Sequence, residues 1–214
     1  MLLSLLLSCS AAPEPPAPPP DIVVVVIDTL RADHLSLYGH DRPTSPFMDE
    51  LGKSGTWFHR SYASSGWTLP SMASLVSGLY AHQHLVGRLA FRGTEFGKLA
   101  DEIVTLPEAL KAKGYSTAAV VNNTFMAPAF NLDQGFDSYD YQGASNVEHR
   151  TAIETSDLGL TWMEKQASPR FLFLHYMEPH LDYAATAPHF DRFATANPEA
   201  EAIKLGDLVG KSHL

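Results

Sequence analysis

Runs of apolar residues alternate along this chain with segments of helical periodicity. Three apolar runs predict strands, and the first is a continuous β-branched run suited to burial on both faces: Ile22 to Ile27, Thr117 to Val121 and Phe171 to His175. Capping, Pro and Gly signals and helical periodicity predict four helices: Pro46 to about Gly55, Pro70 to Ser77, Leu106 to about Lys113, and Val147 to Gln166. Strands alternating with helices require crossover connections, so the pattern predicts a doubly wound α/β fold with a mainly parallel central sheet and helices on both faces.

Polar residues follow each of the three predicted strands. They are Asp28 after the first strand, Asn122 and Asn123 after the second, and His175 at the end of the third, with Glu178 and His180 just beyond it. Ligands of open α/β sheets bind outside the carboxyl ends of the strands, so we expect these side chains at one edge. Together they are suited to a hard cation and an oxyanion, although each alone is also typical of turns.

The segment from Ser64 to Gly78 has the most specific pattern in the chain. Thr68 precedes a helix begun by Pro70, so its hydroxyl is expected near free backbone N–H groups and the positive end of the helix dipole. A nucleophile there would attack an anionic ester whose oxygens those N–H groups hold. The same position suits a simple helix cap, and spacing alone does not decide between the two.

Composition narrows the function classes. The 214 residues suffice for one domain, and 45% hydrophobic with 18% charged residues predict a packed core. The net charge of −9, from 15 Lys and Arg against 24 Asp and Glu, argues against a nonspecific nucleic-acid partner. No apolar run approaches the roughly 20 residues of a transmembrane span, and the single cysteine excludes an internal disulfide.

The first twenty residues differ from the rest. Residues 1–9 resemble the end of a bacterial lipoprotein signal, with Cys9 as the lipid-anchored residue. Six prolines between Ala11 and Pro20 favour an extended tether over residues 10–20. The apolar stretch is short and has no preceding Lys or Arg, so an incidental tail is the alternative. We therefore expect residues 21–214 to form an extracytoplasmic domain, lipid-anchored on the periplasmic or outer face of a bacterial membrane.

Several motifs, in order and spacing, resemble the sulfatase family within the alkaline phosphatase superfamily. They lie at Asp28 to Leu35, Thr44 to Leu51, Gly55 to Phe58, Trp67 to Tyr80 with His84, Leu106-Pro107 with Gly114 to Ala118, and Phe171 through His180. The resemblance covers about Asp21 to Tyr183. It implies an alkaline phosphatase-like fold and a divalent metal, Ca²⁺ by family preference with Mg²⁺, Mn²⁺ or Zn²⁺ as alternatives.

The resemblance also implies roles for individual residues. Asp28 would bind the cation, Thr68 would be both nucleophile and metal ligand, and His180 would contact the sulfate or phosphate group. Family members have a second Asp where this chain has Thr29, and an Arg where it has Met72. True sulfatases have Cys or Ser, oxidised to formylglycine, at the nucleophile position. Thr is not a known substrate for that modification, so Thr68 would act as an ordinary hydroxyl, as in the phosphotransferase branches.

Three functions stay open. The family's remaining metal ligands lie in an Asp-His-Gly motif that residues 191–214 do not provide, so we expect the N-terminal part of a longer catalytic domain. The chain would be a hydrolase of sulfuric or phosphoric esters, its substrate an anionic ester such as a sulfated glycan. The alternatives are a phosphoryl or phosphoethanolamine transferase, and a lipid-anchored remnant without catalysis.

Two smaller patterns have simpler interpretations. His82 and His84 have the spacing of a strand metal pair, but only His84 matches the family, and it is expected to be structural. The segment from Tyr139 to Tyr141 is predicted to be a loop.

Overall fold

The computed structural model describes residues 17–87, 96–141, 150–180 and 188–193. Its strands are β1 (Ile22–Ile27), β2 (Ser116–Val120), β3 (Ser138–Asp140) and β4 (Arg170–Tyr176). Its helices are α1 (Pro46–Ser54), α2 (Thr68–Ser77), α3 (Ala81–His84), α4 (Leu106–Lys111), α5 (Ala152–Lys165) and α6 (His189–Phe193). The proposed signal over residues 1–9 and most of the tether lie outside the described residues. Among those described, no helix is long and apolar enough to cross a bilayer.

The four strands form one parallel sheet in the order β1-β4-β2-β3. Val26 pairs with His175 and Ile27 with Tyr176, so the ends of β1 and β4 are level. The predicted α/β fold with a parallel sheet is therefore confirmed. Because every strand runs the same way, the residues that follow β1, β2 and β4 meet at one edge.

Helices cover both faces of the sheet. On one face, Leu69 and Met72 of α2 belong to the same buried cluster as Phe171 and Phe173 of β4. On the other, Trp162 of α5 packs against a smaller cluster, whose buried members are Ala118, Val120, Leu172 and Leu174. Alternate residues of β2 and β4 thus belong to different clusters on opposite faces of the sheet, as the pleat requires.

The expected burial of β1 on both faces is wrong. Val23 and Val25 are 47% and 56% exposed, while Val24 packs into the larger core. In the described part of the chain β1 is an edge strand, paired only with β4. Helix α5 packs on β2 and β4, so the valines on that side of β1 are not covered.

Local signals placed most helices correctly. Thr105 and Glu108 form the expected capping box of α4, with Glu108 N–H donating to Thr105 Oγ1 at 3.3 Å. This helix ends at Lys111 rather than Lys113. Helix α5 begins after Thr151, which caps it; the predicted start at Val147 lies outside the described residues.

The predicted loop over Tyr139 to Tyr141 is also wrong, because Ser138–Asp140 pairs with β2 as a strand. The Asp137 carboxylate accepts a hydrogen bond from Thr117 N–H at 3.0 Å, which fixes this segment beside β2. A three-residue strand is too short to show a period-two pattern in the sequence.

Candidate active site

Asp28 and Thr68 meet at the carboxyl edge of the sheet. Asp28 directly follows β1, and its N–H donates to the carbonyl of Tyr176 at 2.9 Å, which extends the pairing of β1 with β4 by one residue. Thr68 is the first residue of α2, and its hydroxyl donates to Oδ2 of Asp28 at 3.0 Å. The structure thus brings together the two side chains proposed as metal ligands, which are 40 positions apart in the sequence.

Thr68 is not a helix cap. Helix α2 begins two residues before Pro70, its N-cap position is Trp67, and no side chain caps it. The Thr68 hydroxyl instead points to Asp28, so the capping alternative does not describe this residue. Pro70 has no N–H, and Ser71 N–H donates to the Trp67 carbonyl. Leu69 is completely buried, so in the first turn of α2 the amide of the partly buried Thr68 is the one placed to receive an anion.

Asn123 is a third member of the site. Its Nδ2 donates to Oδ2 of Asp28 at 2.9 Å and lies 3.3 Å from the Thr68 hydroxyl oxygen. Its Oδ1 accepts the Phe125 N–H at 2.9 Å, which fixes the amide so that Nδ2 faces the carboxylate. The sequence placed Asn123 at this edge because it follows a strand, but no motif assigned it a role.

Asn122 has a structural role. It is fully buried, and its Nδ2 donates to the Thr155 hydroxyl at 2.7 Å and to the His175 carbonyl at 2.6 Å. Its Oδ1 accepts from Nε of Arg150 at 3.0 Å. Hydrogen bonds within the protein thus occupy both the nitrogen and the oxygen of the amide. Asn122 therefore joins α5 to the sheet and does not bind a ligand.

His175 lies beneath the carboxylate of Asp28. Its side chain is completely buried, and Nε2 is 3.4 Å from Oδ2 of Asp28. This distance exceeds that of a normal N–H···O hydrogen bond, so the contact is electrostatic. Within the described residues, neither ring nitrogen has a hydrogen-bond partner. The sequence placed this histidine at the end of a strand, among the side chains suited to a cation and an oxyanion, and assigned it no individual role.

The surroundings of Asp28 favour its charged form. Burial raises the pKa of Asp28, but the imidazole of His175, the hydroxyl of Thr68 and the charge of His180 together lower it below its ordinary value of 3.8. Asp28 is therefore a carboxylate at neutral pH. A group with a lowered pKa is a weak base but a good anchor for a cation, so the electrostatics favour a ligand over a proton acceptor.

His180 lies near enough to lower the pKa of Asp28, as expected for a residue at the same edge of the sheet. Its backbone N–H donates to the Met177 carbonyl at 2.6 Å, in the turn that follows β4. Glu178, from the same turn, is used differently: its Oε1 accepts the N–H of Ala152 at 2.9 Å, in the first turn of α5.

His84 is structural, as expected. Its Nδ1 accepts the Val86 N–H at 3.0 Å, so Nε2 carries the proton and donates to Ser74 Oγ at 2.9 Å. Burial lowers the pKa of His84, which keeps the ring neutral. The imidazole therefore ties the end of α3 to α2.

The donor set fits a divalent cation in kind, but supplies only part of a shell. The Asp28 carboxylate and the Thr68 hydroxyl are hard oxygen donors, which Ca²⁺ and Mg²⁺ prefer. Over the described ranges, no group of three or more His, Cys, Asp or Glu side chains is placed to hold a metal. Thr29, the residue after Asp28, has a left-handed φ of 54°.

Comparison with known proteins identifies the fold and its relatives. The family model named Sulfatase matches residues 20–205. A curated N-acetylgalactosamine-6-O-sulfatase of Bacteroides thetaiotaomicron is 31% identical over 93 residues, which are 44% of this chain and 18% of that protein.

Solved structures agree with this result. One, solved in complex with its substrate D-glucosamine-2-N,6-O-disulfate, has a TM-score of 0.66 and 20% identity, over 84% of this chain and 39% of that one. The phosphonate monoester hydrolase of Agrobacterium radiobacter has a TM-score of 0.65 and 18% identity, over 81% and 44% of the two chains. The chain thus spans less than half the length of each of these proteins.

Proposed function

The chain belongs to the sulfatase family, and from this premise we propose that it carries the nucleophile of an active site that cleaves sulfuric or phosphoric esters. The observation that supports this most directly is the 3.0 Å hydrogen bond between Thr68 Oγ1 and Oδ2 of Asp28 at the carboxyl edge of the sheet. A hydroxyl at a helix start, beside a permanent carboxylate, suits nucleophilic attack on an anion that a cation also binds.

Each residue of the site has a distinct part in this proposal. The Thr68 oxygen attacks the sulfur or phosphorus atom as its proton passes to solvent. The bond to the alcohol breaks, and the leaving alcohol oxygen takes up a proton from solvent. Water later releases sulfate or phosphate and restores the hydroxyl of Thr68. The amide of Thr68 and the side chain of His180 bind the non-bridging oxygens of the ester. Asn123 holds the carboxylate of Asp28 in place.

A divalent cation would be held by Asp28 and Thr68. Such a cation neutralises charge on the ester and favours the deprotonated form of a bound hydroxyl, which an ordinary threonine otherwise lacks. Members of the family generally use a divalent metal. We propose Ca²⁺ first, with Mg²⁺, Mn²⁺ and Zn²⁺ as alternatives.

The substrate is proposed to be a sulfated or phosphorylated molecule, and a sulfated glycan fits the relatives that act on or bind sulfated sugars. Thr68 is the observation that favours a second candidate, phosphoryl or phosphoethanolamine transfer, because an unmodified hydroxyl suits phosphoryl chemistry. The incomplete cation shell favours the third, a remnant without catalysis. We further propose a lipid anchor at Cys9 and an extracytoplasmic location.

The test is a panel of aryl and sugar esters of sulfate and phosphate, assayed with the wild-type protein and two variants. Thr68→Ala is expected to abolish cleavage, while Ser77→Ala, at the other end of the same helix, leaves it unchanged. Cleavage of sulfate esters alone would support a sulfatase, and cleavage of phosphate esters in water would support a hydrolase of phosphoric esters. Transfer of the phosphoryl group to an added alcohol would support the second candidate. No cleavage of any ester by the wild-type protein, or full activity of Thr68→Ala, would contradict the proposal.

A further inference from the structure

His175 occupies a position where an apolar residue would be expected. It lies on β4 on the same side as Phe171 and Phe173, which belong to the larger hydrophobic core. Its side chain is 0% exposed, and in the described part of the chain neither nitrogen has a hydrogen-bond partner. A buried polar group without a partner destabilises a fold, so its presence calls for an explanation.

The other buried histidine of the described residues provides the contrast. His84 is 4% exposed, and both of its nitrogens are bonded, to the N–H of Val86 and the hydroxyl of Ser74. That arrangement is complete without any ligand. His175 differs because the polar group it faces, Oδ2 of Asp28 at 3.4 Å, already accepts two shorter bonds.

The crowding at this oxygen explains the long contact. Thr68 and Asn123 donate to Oδ2 of Asp28 at 3.0 and 2.9 Å, and two good donors are about what one carboxylate oxygen accepts. A third donor therefore stays at a distance. If Thr68 turns its oxygen to an ester and gives up its proton, Oδ2 loses one of its two bonds, and Nε2 of His175 is next to that oxygen.

We propose that His175 is a positioning residue of this site: its Nε2–H takes the place of the Thr68 hydroxyl on Oδ2 of Asp28 and keeps the carboxylate oriented when Thr68 reacts. The inference rests on the proposed function of Thr68 and Asp28. It needs only a proton on Nε2 and a shift of a few tenths of an ångström. It also explains why the histidine is buried beneath the carboxylate rather than exposed to substrate.

The first test needs neither metal nor substrate. In protein with ¹⁵N-labelled histidine, NMR should show that His175 carries its proton on Nε2. In Thr68→Val, where the competing hydroxyl is absent, this proton should move downfield and exchange more slowly with water, because the bond to Asp28 shortens. Ser77→Ala, at the distant end of α2, should leave the signal unchanged. A proton on Nδ1, or an Nε2 signal that is the same in Thr68→Val and wild type, would overturn the inference.

The second test uses Mn²⁺ alone as the probe. His175→Gln places an amide N–H near the position of Nε2, whereas His175→Leu fills the space without a donor. We expect His175→Leu to bind Mn²⁺ at least tenfold more weakly in calorimetric titrations, and His175→Gln to remain within threefold of wild type. Thermal unfolding without metal should show His175→Leu to be at least as stable as wild type, because the leucine removes a buried polar group without a partner. Equal Mn²⁺ affinity in all three proteins would contradict the inference.

The two proposals can fail separately. If the wild-type protein binds no Mn²⁺ and cleaves no ester, the proposed function fails, and the NMR comparison still decides whether His175 supports Asp28. If cleavage depends on Thr68 but the NMR signal of His175 ignores the Thr68→Val change, the function stands and the positioning role is wrong. With an active enzyme, His175→Leu is expected to lower kcat more than it raises KM, because the bond forms as Thr68 reacts.

Discussion

Asn123→Asp should convert the site into a cation-dependent stability switch. The new carboxylate would keep the Phe125 N–H on one oxygen, because Asn123 Oδ1 already accepts it at 2.9 Å. Its other oxygen would stand where Nδ2 now lies, 2.9 Å from Oδ2 of Asp28. Two carboxylates would then face each other in a largely buried pocket.

The size of the effect follows from this distance. At an effective dielectric constant of ~20, two unit charges about 2.9 Å apart repel by about 6 kcal/mol. One carboxylate can take up a proton instead, which costs about 4 kcal/mol at pH 7 for an ordinary pKa near 4, so this value is the upper limit. After relaxation we expect a loss of about 2 to 4 kcal/mol, or a Tm lower by about 5 to 12 °C.

A divalent cation should reverse this loss. Two carboxylates and the Thr68 hydroxyl form a stronger set of oxygen ligands than Asp28 and Thr68 alone. At a cation concentration about 100-fold above Kd, binding restores about 2.7 kcal/mol. The assay is thermal unfolding of wild type, Asn123→Asp and Asn123→Leu, each with Ca²⁺ or Mn²⁺ and with chelator.

The Leu variant is the matched control, since it loses the same amide without adding charge. Its unfolding should not respond to cation more than that of wild type. The reasoning would be refuted if Asn123→Asp were as stable as wild type in chelator, since the two side chains would then not be adjacent. It would also be refuted if cations gave no recovery, since the pocket would then not admit them.

Three further predictions concern other parts of the molecule. Thr29→Asp should bind Mn²⁺ about tenfold more tightly in calorimetric titrations, because it adds a second carboxylate beside Asp28 at a left-handed position that Asp tolerates better than a β-branched residue. An unchanged Kd would exclude this position from the cation shell. Gly135→Ala should destabilise the fold by about 3 kcal/mol in urea unfolding, because φ is 88° and the added Cβ would lie 2.6 Å from the Glu108 backbone nitrogen. Gly39→Ala is the control: its φ is also left-handed but the space around it is open, so this substitution should destabilise the fold less. The Asp21 carboxylate is hydrogen-bonded to Arg170, which lowers its pKa from 3.8 to about 2. Its contribution to the stability of the fold is therefore complete above about pH 4 and is lost as the pH falls towards 2. Asp21→Asn should remove that part of the pH dependence of unfolding, and identical acid-unfolding curves for the two proteins would contradict the ion pair.

The main features of the fold were predictable because they depend on local sequence. Apolar runs predicted β1, β2 and β4, and parallel strands necessarily bring Asp28, Asn123 and His175 to one edge. The Thr105–Glu108 capping box shows the same principle on a smaller scale, since both partners lie within one helical turn.

The features that were missed depend on neighbours distant in sequence. Val23 and Val25 are as apolar as the rest of β1, and their exposure follows from its edge position and from α5 covering other strands. Asn122 and Asn123 are adjacent and identical, yet one joins α5 to the sheet and the other binds Asp28. The two asparagines differ only in the direction in which their side chains point just after the end of β2, and residue type does not reveal this direction.

The proposed function rests on Thr68 as the nucleophile beside Asp28, and rapid-quench peptide mapping tests this most directly. The protein is mixed with an ester that it cleaves, stopped in acid within one turnover, and digested for mass spectrometry. We predict that the peptide containing Thr68 carries the sulfuryl or phosphoryl group, and that Thr68→Ala neither carries it nor turns over. Ester cleavage with Thr68 unmodified at every time point, or a label on another residue, would contradict the proposal.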